Sequence, residues 1–187
     1  MTQLALIADE VKVNERTLRR AINEGSLRAI RPSPRTLQLS LAERRYVRRS
    51  WPLISALRRS LRTDHNVRFA LLFGSAARGD DTARSDIDVL VVMRDASLDR
   101  VVDLEAKLTA ATSRRLDIVR LDEAVRQPSF LADVTAVGRV LVDRDGAWPR
   151  LRSREARLRR EARIRDSQDV EAALAGVDEL LKPGANG

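Results

Sequence analysis

The sequence predicts an α+β protein with a helical N-terminal module, a mixed sheet with flanking helices, and a long C-terminal helix. Apolar residues first recur at helical spacing and then alternate over residues 27–39, as in a hairpin. Between residues 67 and 143, short apolar runs of strand length alternate with amphipathic helical stretches. Beyond Trp148 an arginine-rich helical pattern continues to about Leu181. Apolar residues make up 43% of the 187 residues, which is typical of a folded globular protein.

The composition excludes several kinds of catalytic site. The chain has no cysteine and one histidine, His65, which excludes disulfides, thiol nucleophiles, cysteine-bound zinc and histidine-rich metal sites. No stretch approaches the roughly 20 apolar residues of a membrane span. The N-terminus is too acidic, and its apolar part too short, for a signal peptide. We therefore expect a cytoplasmic protein with no membrane partner, whose chemistry relies on carboxylates, hydroxyls, arginines and bound metal.

The positive charge is concentrated in the first third of the chain. Residues 1–62 carry 14 Lys and Arg against 5 Asp and Glu, residues 63–146 carry 12 against 15, and residues 147–187 carry 9 against 7. A basic segment joined to a mildly acidic one indicates a polyanion-binding module attached to a second unit. Nearly all of these cations are arginines, and arginine counts do not separate DNA from RNA.

The first 40 residues have the order helix, turn, helix and basic hairpin. Asn14 is a good N-cap for a helix from Glu15 to Glu24, and Gly25 stands at its C′ position. A turn with the sequence Arg31-Pro32-Ser33-Pro34-Arg35 joins the two alternating runs. This order resembles the excisionase and MerR-like group of winged helix-turn-helix modules.

That resemblance implies binding to duplex DNA, with the second helix in the major groove and the hairpin, or wing, on the backbone. The alternative is a protein-interaction module whose arginine face is solvated. The candidate DNA contacts are Arg16, Thr17 and Arg20 on the helix, and Arg31 and Arg35 on the wing.

The next elements alternate between helices and strands. A helix over 41–50 is expected to break at Trp51-Pro52, because proline disrupts a helix interior but suits the first turn of a following helix, here to Leu61. The further elements expected are strands over 67–73, 87–93, 114–121 and 139–143, with helices over 97–111 and 122–137.

The most informative segment is FALLFGSAARGDDTARSDIDVLVV, residues 69–92. An apolar strand runs into Gly74-Ser75, and Asp86-Ile87-Asp88 opens a second apolar strand. Gly74 lets the backbone approach a ligand closely. Ser75 opens a helix, whose free N–H groups favour a phosphate. The plainer alternative is that Ser75 only caps this helix.

Asp86 and Asp88 lie two residues apart on a strand, so their side chains share a face, roughly 7 Å apart. Such carboxylates repel each other and lose hydration, which a protein accepts when a cation lies between them. Asp117 adds a charge to the apolar run 115–119, on a strand expected in the same sheet. With no cysteine and one histidine, oxygen ligands indicate Mg²⁺ or Mn²⁺. The alternative for the Asp86 and Asp88 pair is two ordinary aspartates in water.

Gly-Ser, ten intervening residues, Asp-x-Asp and an aspartate on a later strand resemble the polymerase-β nucleotidyltransferase superfamily. Ala-Arg-Gly-Asp after the serine, and the start Ser-Asp-Ile-Asp, resemble its minimal nucleotidyltransferase branch, over Val67 to Asp143. The resemblance implies a two-metal site at Asp86, Asp88 and Asp117, in which Asp117 helps to deprotonate the attacking hydroxyl. It also implies a nucleoside triphosphate substrate, which we expect to be ATP, with its terminal phosphates at Ser75 and Gly74.

Arg78 is a further candidate phosphate contact, or else pairs with Asp80 or Asp81. On this interpretation the chain divides into four parts. These are a DNA-binding module over 1–50, a connecting helix over 51–64, a nucleotidyltransferase domain over 65–146, and a C-terminal helix and tail over 147–187.

Members of the minimal branch often occur in toxin–antitoxin modules, where some modify a partner toxin and others act on tRNA. The favoured interpretation is a metal-dependent nucleotidyltransferase acting on a protein or RNA acceptor, with a DNA-binding module, as the antitoxin or regulator of such a system. The alternatives are a non-enzymatic DNA-binding repressor that keeps the fold for partner binding, and a tRNA-modifying nucleotidyltransferase toxin. The sequence leaves open the nucleotide, the acceptor, the oligomeric state and the choice between DNA and RNA.

Overall fold

The computed structural model describes residues 2–33 and 36–164. The predicted α+β class, with a mixed sheet and flanking helices, is confirmed. Within the described residues the elements follow in the order α1 (Gln3–Glu10), α2 (Glu15–Asn23), β1 (Ile30–Ser33), β2 (Thr36–Gln38), α3 (Leu41–Thr63), β3 (Val67–Phe73), α4 (Gly74–Arg78), β4 (Ile87–Met93), α5 (Leu98–Thr112), β5 (Leu116–Arg120), α6 (Leu121–Ala124), α7 (Pro128–Val137), β6 (Arg139–Asp143) and α8 (Ala147–Ser153).

The N-terminal module has the predicted order of two helices and a hairpin. The Asn14 side chain accepts a hydrogen bond from the Arg16 N–H at 2.8 Å and so caps α2, as predicted. Gly25 follows α2 with φ +84°, a left-handed conformation that favours glycine. β1 and β2 pair antiparallel. The assignment of this module as a DNA-binding winged helix-turn-helix stays a prediction, and Arg35 lies outside the described residues.

α3 is one continuous helix, so the predicted break at Trp51-Pro52 is wrong. A proline inside a helix removes a backbone hydrogen bond and costs about 3 kcal/mol. Buried side chains on both sides of Pro52, such as Val47, Ile54 and Leu57, lie on one face of this helix. Each contributes roughly 1.5–3 kcal/mol by leaving water. Tertiary packing therefore outweighs the local effect of the proline.

The sheet has the strand order β5-β4-β3-β6. β3 pairs antiparallel with β4 and β6, whereas β4 pairs parallel with β5. Ala70 and Leu72 of β3 pack into a core shared with α3 and α5, and Phe69 and Leu71 pack into a core shared with α7 and α8. This topology places the end of β3 and the starts of β4 and β5 at one edge of the sheet.

The N-terminal module shares a hydrophobic core with this sheet. The core that holds Ala70 and Leu72 also contains Leu4 of α1 and Leu18 of α2. The Ser26 hydroxyl donates to the Val140 carbonyl of β6 from a fully buried position. The predicted boundary between residues 50 and 51 lies within α3. The two parts are therefore joined by packing as well as by the chain.

Two helices differ from the sequence-based expectation. The helix expected over 122–137 is divided into α6 and α7, because Pro128 begins α7 and Gln127 before it is not helical. The expected long C-terminal helix is interrupted by a turn at Arg154, after which residues 155–164 are helical again. The part beyond residue 164 lies outside the described residues. Among the helices that the structure describes, none is long and apolar enough to cross a membrane.

Candidate active site

Gly74 and Ser75 lie where β3 leads into α4. Gly74 has φ +65°, and a Cβ at this position would overlap a carboxylate oxygen of Asp88. Glycine is required here because the backbone is left-handed and Asp88 lies directly against it. Phe73 occupies the N-cap position of α4, and no side chain accepts a capping hydrogen bond there. The interpretation of Ser75 as a plain helix cap is therefore wrong.

The three predicted carboxylates lie on the same edge of the sheet as Gly74. Asp88 of β4 is paired in register with Phe73 on β3 and with Asp117 on β5. Because residues in register on parallel strands project from the same face, Asp88 and Asp117 stand side by side on strands roughly 4.8 Å apart. Asp86 lies just before β4, two residues from Asp88, and so starts on the same side.

The electrostatics of the site centre on Asp88. Burial raises the pKa of its carboxyl above the ordinary 3.8, and the negative charges of Asp117 and Asp86 raise it further. The Arg78 guanidinium acts in the opposite direction. A cation bound beside Asp88 would relieve both the repulsion and the loss of hydration.

The chemistry of these side chains fits a hard divalent cation, since Mg²⁺ and Mn²⁺ prefer carboxylate oxygens. Their arrangement fits less closely, because no group of three or more Asp, Glu, His or Cys in residues 2–33 and 36–164 is placed to hold a metal ion. The position of Asp86 is one reason for this poor fit. Its side chain is 50% exposed, and its Oδ1 lies 3.8 Å from Arg115 Nε. Asp88 and Asp117 thus stand as a pair, and Asp86 is directed toward an arginine.

The loop that leads to Asp86 is held by two arginines that sequence reasoning missed. Asp81 is buried, and its carboxylate pairs with Arg114 at 2.7 Å and with Arg49 at 3.5 Å. Arg114 also donates to the Ser85 carbonyl at 2.7 Å, and Arg49 donates to two other backbone carbonyls of the loop. Arg49 comes from α3 and Arg114 from the segment before β5. Because these residues are far apart in the sequence, no local pattern predicts that they hold this loop.

Arg78 takes one of its two predicted roles. Its Nε donates to Asp80 Oδ2 at 3.0 Å, in an exposed pair. Its guanidinium also acts on the pKa of Asp88. Arg78 is thus paired with Asp80 and close enough to act on Asp88, and its role as a phosphate contact stays a prediction.

Two buried side chains support α4, and sequence reasoning missed these as well. Tyr46 of α3 donates its hydroxyl to the Ala76 carbonyl at 3.0 Å, and Arg139 of β6 donates to the next carbonyl at 2.6 Å. The Arg139 guanidinium lies 3.4 Å from the centre of the Tyr46 ring and pairs with Glu43. Burial raises the pKa of Tyr46 to about 12, so its hydroxyl remains a donor at neutral pH. The sequence does carry one signal for Arg139, a charge within an apolar strand, as at Asp117.

The predicted DNA contacts lie elsewhere. Arg16, Thr17 and Arg20 line a cleft between α2 and the second half of α3. Tyr46 and Arg49, which contact α4 and its following loop, lie in the first half of α3. Arg31 donates to the Asn23 side chain at 2.9 Å. The structure thus separates the basic candidates from the acidic ones.

The sheet, the Gly-Ser helix start and the carboxylates at its edge define a nucleotidyltransferase fold. The profile of the family described as polymerase beta, nucleotidyltransferase matches residues 56–147. A protein of Methanocaldococcus jannaschii, provisionally named a protein adenylyltransferase, is 43% identical over 75 residues, which make up 38% of this chain and 74% of that protein. The chain belongs to the polymerase beta nucleotidyltransferase family, as the motif predicts.

Several solved structures also resemble this chain. A toxin–antitoxin structure with AMP-PNP has a TM-score of 0.44 and 22% identity, covering 71% of this chain and 98% of that one. The toxin–antitoxin MntA-HepT has a TM-score of 0.43 and 20% identity, covering 69% and 97%. A complex of the tri-AMPylated Shewanella oneidensis HEPN toxin with the MNT antitoxin has a TM-score of 0.44 and 20% identity, covering 71% and 98%.

Proposed function

We propose that this protein is a metal-dependent adenylyltransferase that transfers AMP from ATP to a hydroxyl of a protein acceptor. The observation that carries the proposal is the in-register pair Asp88 and Asp117 beside Gly74, with the pKa of Asp88 raised by burial and by its acidic neighbours. Perturbed carboxylates of this kind mark functional sites. The name of the M. jannaschii relative supports adenylyl transfer and a protein acceptor.

Each residue has a distinct part in this reaction. Asp86 and Asp88 would hold the divalent cation that accompanies the triphosphate, with Asp117 completing the site. The cation, when bound, neutralises charge that develops on the phosphates. Ser75, the second residue of α4, would donate its hydroxyl to the terminal phosphates. Gly74 leaves room for this approach.

The reaction is an in-line displacement at the α-phosphorus. The acceptor hydroxyl oxygen forms a bond to this phosphorus, the bond from the phosphorus to the oxygen bridging the β-phosphate breaks, and pyrophosphate leaves with that electron pair. Asp117 accepts the proton of the attacking hydroxyl. The reacting groups must also be held in position, because well-oriented groups react far faster than free ones. The hydrogen bonds that hold α4 and its following loop would keep them in place.

The proposal extends to a biological role. The protein would act as the antitoxin or regulator of a toxin–antitoxin pair, modifying its partner toxin. The presence of Asp86, Asp88, Asp117 and Gly74-Ser75 favours an enzyme over a repressor that only keeps the fold. A toxin that modifies tRNA is the remaining alternative, and the acceptor decides between the two.

A second part of the proposal is that the N-terminal module binds nucleic acid. Arg16, Thr17 and Arg20 of α2 line one cleft together with Arg59 and Arg62 of α3, among other residues. Such a concentration of arginine favours a polyanion. Duplex DNA is the form that the resemblance to winged helix-turn-helix modules implies.

Transfer is tested with labelled ATP, Mg²⁺ and two acceptors, the protein encoded beside this gene and bulk tRNA. We expect label on the protein. Asp117→Ala should abolish transfer while ATP with Mg²⁺ still raises the melting temperature, whereas Asp88→Ala should lose both. Ser75→Ala should weaken ATP binding by about 1.5–3 kcal/mol, one charge-assisted hydrogen bond. Asp133→Ala, at an exposed aspartate of α7, is the matched control.

Two results would contradict the proposal. Label on tRNA alone would support the toxin alternative. Label on neither acceptor, with wild type and Asp117→Ala indistinguishable, would leave the non-enzymatic repressor.

A further inference from the structure

Three neighbouring clefts lie along α2 and beyond its end. The first, of about 590 Å³, lies between α2 and the second half of α3. The second, of about 370 Å³, lies between the end of α2 and β6, and the third, of about 400 Å³, lies between the start of the hairpin and α8. Arg20 and Arg62 line both the first and the second cleft, and Asn23 and Trp148 line both the second and the third. Because neighbouring clefts share these residues, we treat the three together and call them the α2 furrow.

The furrow is positively charged along its length. Its arginines include Arg16, Arg20, Arg59 and Arg62 in the first cleft, and Arg28, Arg31 and Arg152 in the third. Within the part of the chain that the structure describes, no ion pair involves Arg16 or Arg59. Their charges are therefore available to a ligand.

The two acidic residues that line the second cleft are already engaged. Glu24 pairs with Arg20 at 2.7 Å, with Arg62 at 2.9 Å and with the buried Arg58. Asp143 accepts hydrogen bonds from the first two N–H groups of α8, at 2.8 and 3.0 Å. The second cleft also carries Arg20, Arg62 and Arg144, so its cations outnumber these two carboxylates and its net charge attracts an anion.

An aromatic side chain lies midway along the furrow. Trp148 is partly exposed and lines the second and third clefts. The Arg152 guanidinium lies 5.6 Å from the centre of its ring. A basic groove with an aromatic face is the combination that binds single-stranded nucleic acid, since phosphates pair with arginines and a base stacks on the ring.

The shape of the furrow distinguishes a single strand from a duplex. Arg16, Arg20 and Asn23 recur at i, i+4 and i+7, so they share one face of α2. A recognition helix must protrude to enter a major groove about 12 Å wide, because the helix itself measures 10–12 Å across. This face of α2 instead forms one wall of a depression whose other walls are α3, β6 and α8.

We infer that the α2 furrow binds a single-stranded polynucleotide, with its phosphates on the arginines and one base on Trp148. The inference rests on the proposed nucleic-acid binding of the N-terminal module and names the form of nucleic acid. It replaces insertion of α2 into duplex DNA as the binding mode. Because the furrow lies away from the carboxylates, its occupation is measurable without transfer activity.

The test uses the full chain and three labelled 12-nucleotide probes, oligo-dT, oligo-U and a DNA duplex, in fluorescence anisotropy. We expect both single strands to bind more tightly than the duplex, with affinity falling steeply between 50 and 200 mM salt as counterions are released. Arg16→Ala with Arg59→Ala should weaken single-strand binding by about tenfold or more and flatten the salt dependence. Arg94→Ala with Arg100→Ala, two exposed arginines away from the furrow, removes the same charge as a control.

Trp148 gives a second readout. Stacking of a base should quench its fluorescence, and this quenching should disappear in Trp148→Phe, which keeps an aromatic ring, while binding persists. Tighter binding of the duplex than of either strand overturns the inference and supports the recognition-helix mode. Equal effects of the furrow and control variants place the site elsewhere and also overturn it. Binding of no probe refutes nucleic-acid binding altogether, whereas nucleotidyl transfer is measured separately with the labelled ATP assay.

Discussion

The buried pair of Glu43 and Arg139 allows the stability of the fold and the support of the active site to be tested separately. Their side chains are 6% and 3% exposed, and hydrogen bonds of 2.6 and 3.0 Å join them. Arg139→Met removes both bonds and leaves the Glu43 carboxylate buried against the Arg28 N–H, at 2.9 Å. Breaking a buried pair in this way costs about 3–5 kcal/mol. We expect this variant to lose that much free energy of unfolding.

Glu43→Leu is expected to lose a similar amount, because it leaves the arginine buried without its carboxylate. In the double variant Glu43→Leu with Arg139→Met, an apolar pair replaces both charges. Its loss should be smaller than the sum of the two single losses by about 2–3 kcal/mol. Urea unfolding followed by circular dichroism measures all four proteins. Single losses that simply add in the double variant would refute the reasoning.

The double variant then isolates the effect on the site. Arg139 donates to the Ala77 carbonyl of α4 at 2.6 Å, and methionine cannot replace this bond. Transfer of AMP should therefore stay slower than in wild type at a temperature where the double variant is fully folded. A wild-type rate under these conditions would show that Arg139 contributes to stability and not to the position of α4.

Three further predictions concern the carboxylates and Gly74. Mg²⁺ should raise the melting temperature, more so with ATP, and Asp86→Asn with Asp88→Asn should abolish this response; a full response in that variant would overturn the assignment of the ligands. In the absence of metal, the raised pKa of Asp88 means that the native state binds a proton more tightly than the unfolded state. This proton stabilises the fold fully below the ordinary pKa of 3.8, and the stabilisation is lost as the pH rises through the raised pKa. Asp88→Asn should therefore raise the melting temperature at about pH 7 and change it little at about pH 3, and equal gains at both would contradict this. Gly74→Ala should lose more transfer activity than Gly146→Ala. Both glycines have a left-handed backbone, which costs roughly 1–2 kcal/mol with alanine, but only the Cβ at Gly74 meets Asp88. Equal activity of the two variants would show that Asp88 moves aside without effect.

Much of the fold and the centre of the site could be predicted from local sequence. The strands at 67–73, 87–93 and 139–143 are confirmed at both ends, since each is a buried apolar run bounded by turn residues. Asp117 stands out in the sequence as a charge within such a run. Its side chain is exposed, and it stands in register with Asp88.

The remaining features depend on contacts between distant parts of the chain. Pro52 is a strong local signal for a helix break, and only the packing on both sides of it keeps α3 continuous. The pairs of Asp81 with Arg114 and of Glu43 with Arg139 join residues 33 and 96 positions apart, which no periodicity encodes. The caps and the alternating runs predict the order of two helices and a hairpin, but the surroundings of α2 are set by α3, β6 and α8.

The continuity of α3 fixes a distance within the protein. A helix of 23 residues is about 34 Å long at 1.5 Å per residue. Tyr46 and Arg49 near its start hold α4 and the following loop, while Arg59 and Arg62 near its end line the α2 furrow. Because no flexible linker separates these two ends, a ligand held in the furrow would lie at a set reach and angle from the carboxylates.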